Sequence, residues 1–376
     1  MHNQTENKTP KLDTILSHIG INHDEATGAL ISPIHFSTTY QHPEFGQSTG
    51  YDYTRTKNPT RTNLEEALAS IESGQFAIAT SSGMSAIVLA LDIFPVGAKI
   101  VASRDLYGGS FRWFNDQEKR GRFFFDYVVT EKDMLGAISK ETDVVYIETP
   151  TNPLMIEVDI AKVAKKAHEN GATVIVDNTF YTPIYQQPLT LGADIVVHSA
   201  TKYLSGHNDV LAGAVIVKEA ALYEQLLYNL NTTGPVLSPF DSYLVMRGLK
   251  TLSLRMQRAT QNATEIVNFL RQHAAVKSVL YTGLGGMISF KVKDQSKIPT
   301  IINSLSVITF AESLGGVESL ITYPTTQTHA DIPQAVRASY GLTDDLLRLS
   351  IGIEDVSDLI DDLKLALAEG EKNDEV

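Results

Sequence analysis

Cysteine is absent from the chain. Its absence excludes disulfides, thiolate metal sites, iron–sulfur clusters and cysteine nucleophiles together, and it fits a reducing compartment. Long apolar runs are missing as well. Every apolar stretch breaks well short of the roughly 20 residues a membrane span requires. Positive charge is in deficit: 31 Lys and Arg stand against 44 Asp and Glu, a net charge of −13. Nucleic acid and anionic membranes are therefore poor partners. No repeat with a period of about 20–50 residues is present, which excludes a solenoid. The ten His show no His-Glu-x-x-His spacing, so no catalytic metal is expected. The opening, Met1 to Pro10, is polar without an apolar core. It predicts no secretory leader and a cytoplasmic location.

What is present describes a globular α/β chain. Apolar residues make up 43% of the 376 and charged residues 20%, enough for a sizeable core without staples. Residues 1–47 read as an irregular arm, with Ile31 to Tyr40 extended, of a kind that packs on a partner subunit. From Asn63 the pattern alternates. Helices are expected over 64–73, 83–93 and 160–170, and strands over 76–80, 99–103, 144–149, 173–177, 194–198 and 213–217. Short continuous apolar runs separated by helices predict a doubly wound, mainly parallel sheet covered on both faces. A long helix is expected over 239–273. Half-buried strands follow at 287–292, 307–310 and 347–351, then a last helix over 355–368 and a frayed acidic tail, Glu369 to Val376. The expected division is thus an arm at 1–47, an α/β domain at 48–235 and a smaller α+β domain at 236–376.

In open α/β sheets, ligands bind beyond the carboxyl ends of the strands. Ser81-Ser-Gly-Met-Ser-Ala86 opens a helix after one strand and reads either as an anion cradle or as a tight turn with a Ser cap. Asp177 ends another strand, as a helix cap, a metal ligand or the partner of a protonated ring nitrogen. Lys202 closes Ser199-Ala-Thr-Lys202 after a third, as a surface lysine or one able to form an imine with a carbonyl. Together with a stackable Tyr107, they describe one ligand, pyridoxal phosphate. Lys202 takes the aldehyde, Asp177 holds the ring nitrogen's proton, and the cradle holds the phosphate.

Further motifs carry a resemblance. They are Tyr53-Thr-Arg55 with Asn58-Pro-Thr-Arg61, Asp105-Leu-Tyr-Gly-Gly109, Glu148-Thr-Pro-Thr-Asn-Pro153, Val176-Asp-Asn-Thr179, His198-Ser-Ala-Thr-Lys-Tyr203, Gly206-His-Asn-Asp209 and Ser313-Leu-Gly-Gly-Val-Glu-Ser319. From about Ile21 to Leu367 the chain resembles the pyridoxal-phosphate enzymes of cysteine and methionine metabolism, which have the fold type I architecture. The resemblance implies that Lys202 and Tyr107 are catalytic. It implies that Asp177, Gly83, Met84, Ser199 and Thr201 bind the cofactor. Tyr53 and Arg55 would reach the phosphate of a neighbouring subunit, which implies a homo-oligomer, usually a homotetramer built as a dimer of dimers. Arg348 would grip the α-carboxylate of a small amino-acid substrate, with Asn152 and Ser313 orienting that carboxylate and the lysine. Glu312 resembles the acidic residue of γ-acting members, and Arg112 one that meets the distal end of the substrate.

Segments 50–61 and 239–255 look most like bacterial-type cystathionine γ-synthase/O-acetylhomoserine thiol-lyases. That resemblance implies γ-replacement on an O-acylhomoserine with cysteine, giving cystathionine, or with sulfide, giving homocysteine. The alternatives are a cystathionine γ-lyase or β-lyase, and a non-catalytic binding protein that keeps the fold.

Overall fold

The computed structural model describes residues 10–21, 24 and 26–372. Seven strands form the larger sheet: β1 (Phe76–Thr80), β2 (Ala98–Ser103), β3 (Phe123–Val128), β4 (Val144–Glu148), β5 (Thr173–Asp177), β6 (Ile195–His198) and β7 (Gly213–Val217), in the order β1-β7-β6-β5-β4-β2-β3. Four of the six pairings are parallel, and β7 runs antiparallel to both its neighbours. The apolar runs reflect burial on both faces. Along β5, Val174 and Val176 join one core while Ile175 joins the other. Helices Pro59–Ile71 and Ile160–Glu169 cover the first face through Leu64, Leu68, Val163 and Ala167. Helices Gly83–Leu91, Gly108–Lys119 and Ala220–Thr233 cover the second through Ile87, Phe114, Leu226 and Leu230.

The smaller sheet has five strands: β8 (Val276–Leu280), β9 (Met287–Val292), β10 (Thr309–Phe310), β11 (Leu320–Thr322) and β12 (Leu346–Ser350), in the order β10-β11-β12-β9-β8. Helices Leu252–Gln272 and Val356–Lys372 pack on it through Ile266, Leu270, Leu359 and Leu363. Period-2 alternation does the positioning along β12. Leu347 and Leu349 face this core, which sends Arg348 to the opposite face.

Several elements differ from expectation. The single helix expected over 239–273 is two, Pro239–Leu249 and Leu252–Gln272. Gly248 lies too close to the Ser205 carbonyl for any side chain. Its own carbonyl, freed at the helix end, accepts a hydrogen bond from buried Arg255 at 2.8 Å. Arg255 also donates to the carbonyl of Tyr203, next to Lys202, at 2.7 Å. Val245 and Met256 join the first core of the larger sheet, and Ala263 and Ile266 join the core of the smaller sheet, so helix Leu252–Gln272 passes from one to the other.

The first predicted helix begins earlier, at Pro59, because the Asn58 side chain accepts from the Thr60 and Arg61 amides and proline suits the first helical position. The arm is not wholly irregular: Leu12–His18 is helical and anchors through Leu16 and Ile19. The last helix runs on to Lys372, through part of the segment expected to fray. The rest of that segment, 373–376, lies outside the described residues, as do residues 1–9. The strand expected over 307–310 forms only at Thr309–Phe310. No helix among the described residues is long and apolar enough to cross a membrane.

Candidate active site

The parallel strands deliver their polar ends to one edge of the larger sheet, and β12 closes over that edge from the smaller one. Between them lies a cavity of about 350 Å³. One end is a helix start. Ser82 caps helix Gly83–Leu91 by accepting from the Ser85 amide at 3.0 Å. A side chain on Gly83 would stand 2.6 Å from Ser199 Cβ, so only glycine lets the two segments meet. First-turn N–H groups lack intrahelical partners and lie at the positive end of the helix dipole. With the Ser199 and Thr201 hydroxyls beside them on the wall, they suit a phosphate.

Asp177 ends β5 on the floor of the cavity. Its Oδ1 accepts from the Thr179 amide at 3.0 Å, and its Oδ2 lies 3.5 Å from the Tyr146 hydroxyl. Glu148 ends β4 in register with it. Burial, together with the Asp177 charge, pushes the Glu148 pKa well above the carboxylate range. Burial raises the Asp177 pKa too, opposed by its bonds to Thr179. Glu148 accepts the Tyr107 amide at 3.0 Å, which fixes Tyr107 at the start of helix Gly108–Lys119. Gly109 keeps that position clear, since a Cβ there would stand 2.5 Å from the Tyr107 ring.

Lys202 donates from Nζ to the Ser313 hydroxyl at 3.0 Å. Burial, then the Arg348 charge, pulls its pKa down to about 8, with Glu312 opposing. Arg348 is buried, and burial lowers its pKa to about 10, still well above neutrality. It donates to Asn152 Oδ1 at 2.9 Å, to the Ser313 carbonyl at 3.0 Å and to the Thr322 hydroxyl at 3.1 Å. Its Nε has no protein partner. A buried guanidinium with a free donor beside a cavity is suited to a carboxylate.

The cavity thus gathers Lys202, Tyr107, Asp177, Gly83, Met84, Ser199, Thr201, Arg348, Asn152, Ser313 and Glu312. Three residues named from the sequence lie elsewhere in this chain. Tyr53 is exposed, and Arg55 sits over its ring while donating to the Asn231 carbonyl at 3.0 Å. Arg112 pairs with Asp331 at 2.7 Å on the surface. Glu148, Thr179, Phe180 and Thr328 are lining residues that sequence reasoning left unassigned. Glu148 was open to the same strand-end rule that finds Asp177.

A glycine-only cradle, a lysine of lowered pKa, an acid at the cavity floor and a carboxylate-ready arginine fit pyridoxal phosphate and an amino acid. Fold and site are those of a pyridoxal-phosphate-dependent enzyme of fold type I. The chain belongs to the Cys/Met metabolism PLP-dependent enzyme family, whose family model matches residues 13–368.

Among curated relatives, it is 50% identical over 360 residues to the cystathionine gamma-synthase/O-acetylhomoserine (thiol)-lyase of Bacillus subtilis (strain 168), covering 95% of this chain and 96% of that one. It is 46% identical over 375 residues to the cystathionine gamma-lyase of the same organism, covering 95% and 99%. Among solved structures, the cystathionine gamma synthase from Xanthomonas oryzae pv. oryzae in complex with aminoacrylate and cysteine superposes with a TM-score of 0.94 at 40% identity, covering 96% and 99%.

Proposed function

We propose that this enzyme catalyses γ-replacement. An O-acylhomoserine and L-cysteine give L-cystathionine and the free carboxylate of the acyl group, and sulfide in place of cysteine gives homocysteine. The observation that carries this reading is Glu312 on the cavity wall, next to Ser313 and acting on Lys202 through its charge. γ-Replacement moves protons at both Cα and Cβ, whereas β-elimination moves one at Cα. A site with Lys202, Tyr107 and Glu312 has carriers for both. Support also comes from the 50% identity to a relative whose name combines these two activities.

Bound pyridoxal phosphate supplies an electron sink for charge that develops at Cα. The residues of the chain do the rest. Gly83, Met84, Ser199 and Thr201 hold the phosphate, and Asp177 holds the proton of the ring nitrogen. Arg348 binds the α-carboxylate through Nε, and Asn152 keeps the guanidinium in its plane. Lys202 takes the Cα proton on Nζ, for which a pKa of about 8 is well placed. Ser313 holds Nζ in line. Tyr107 carries the Cβ proton on its hydroxyl. Cysteine sulfur then bonds to Cγ in place of the acyl oxygen.

Tyr53 and Arg55, remote from the cavity of their own chain, serve the cavity of a neighbouring subunit in a homotetramer. Exposed Leu30, Phe36 and Phe45 on the arm give that neighbour an apolar surface to cover.

The test is product analysis with O-acetylhomoserine or O-succinylhomoserine and cysteine, then sulfide. Cystathionine and homocysteine are expected. Release of 2-oxobutyrate or pyruvate from cystathionine, without any synthesis, overturns the reading in favour of a γ- or β-lyase.

A further inference from the structure

His329 lies between β11 and β12 and is fully buried. No motif in the sequence marks it. Its Nε2 is 3.1 Å from the Leu106 carbonyl and 3.0 Å from the Asn152 carbonyl. Its Nδ1 is 2.8 Å from the Thr328 hydroxyl. These three partners belong to three separate segments of the cavity wall. Leu106 precedes Tyr107. Asn152 holds Arg348. Thr328 lines the cavity itself, and its carbonyl occupies the space that a side chain on Gly108 would need.

The partners also decide the protonation state. Carbonyl oxygens only accept, so Nε2 carries the hydrogen and shares it between Leu106 and Asn152. Thr328 can then donate its hydroxyl hydrogen to the lone pair of Nδ1. A single neutral tautomer satisfies every contact. Burial, then the Arg348 charge, lowers the ring's pKa to about 4, so this form persists through the neutral range.

We propose that His329 is a positioning residue. As the Nε2–H tautomer, it ties the backbone in front of Tyr107 to the backbone of Asn152 and so holds the Asn152–Arg348 carboxylate grip in register with the Tyr107 ring. The role concerns any amino acid the cavity accepts and does not depend on γ-replacement.

The experiment uses the holoenzyme and glycine, a carboxylate-bearing probe with no Cγ, titrated by its effect on cofactor absorbance. His329→Leu leaves two buried carbonyls without a donor, and glycine binding is expected to weaken about tenfold. His329→Gln keeps an N–H near the position of Nε2 and is expected to stay within about threefold of the parent. KM for the amino-acid substrate should rise in His329→Leu more than kcat falls. Glycine affinity unchanged in His329→Leu, or His329→Gln as weak as His329→Leu, overturns the proposal. Should His329→Leu fail to fold, ring nitrogen NMR of the parent holoenzyme decides. An unprotonated Nδ1 at pH 6 supports the proposal and a protonated Nδ1 refutes it.

Discussion

Lys202 Nζ donates to the Ser313 hydroxyl at 3.0 Å, and the Ser313 carbonyl in turn accepts from Arg348 at 3.0 Å. One residue therefore holds both the proposed base and the proposed carboxylate binder. Ser313 does so at φ 105°, a backbone region that residues with a side chain rarely occupy. Such strain persists only where the surroundings over-determine it, and it clusters at functional sites.

The burial of Lys202, and then the charge of Arg348 beside it, has a pH signature. A lysine is acylated only as the free amine. Because the Lys202 pKa is lowered from 10.5 to about 8, Lys202 is mostly charged below that pH and mostly free above it, while ordinary lysines stay mostly charged up to about pH 10.5. In the apo protein, acetic anhydride labelling at Lys202, followed by mass spectrometry, should rise with a midpoint near pH 8. Glu312→Gln removes the charge that props the value up, so the midpoint should move lower. Labelling of Lys202 that tracks the exposed lysines up to pH 10 would show the amine to be unperturbed.

Arg348 holds Asn152, Ser313 and Thr322 through its two terminal nitrogens and leaves Nε without a protein partner. Lysine offers one nitrogen in place of the planar fork and cannot hold these partners and a carboxylate together. Arg348→Lys should raise substrate KM about 10- to 100-fold, the range for losing hydrogen bonds to a charged group. The kcat should fall much less. Steady-state kinetics with KM within about twofold of the parent would remove Arg348 from the substrate site.

The parts of this site that were legible in the sequence are those set by local pattern. An apolar strand run ending in a polar residue marks Asp177 and Lys202. A strand followed by small residues and a helix marks Gly83. Arg348 is local in another way: the alternation Leu-Leu-Arg-Leu-Ser marks a strand, expected half-buried and in fact buried throughout, although the task of Arg348 came from resemblance. Helix Gly108–Lys119 opens on two glycines, and its stability comes from burying Phe111 and Phe114 rather than from propensity. His329 is the extreme case. The partners of its Nε2 lie 223 and 177 residues away along the chain, so only the folded arrangement reveals what it does.

Gly83→Ala tests the phosphate cradle. The added methyl would meet Ser199 Cβ at 2.6 Å and Ser199 Cα at 2.9 Å, and the latter is backbone that cannot rotate away. Overpacking of this kind costs about 1–3 kcal/mol. Here it pushes the helix start from the Ser199 segment. Pyridoxal phosphate should dissociate at least about fivefold more readily on dialysis, as followed by absorbance. Gly136→Ala is the control, since nothing lies within 4 Å of a Cβ there. Equal cofactor retention in both variants would place the phosphate elsewhere.

The assignment of Tyr53 and Arg55 to a neighbour's cavity predicts complementation. Lys202→Ala chains and Arg55→Ala chains should each form oligomers with little or no activity. In a mixed dimer one site receives both lesions, but the other combines an intact Lys202 from one chain with an intact Arg55 from its neighbour. Refolding the two variants together should therefore restore a substantial fraction of parent activity, with a maximum near equal proportions. If Arg55 acted only within its own chain, where it donates to the Asn231 carbonyl, every site with an intact Lys202 would still carry the Arg55 lesion. Mixtures would then show no more activity than the sum of the separate variants.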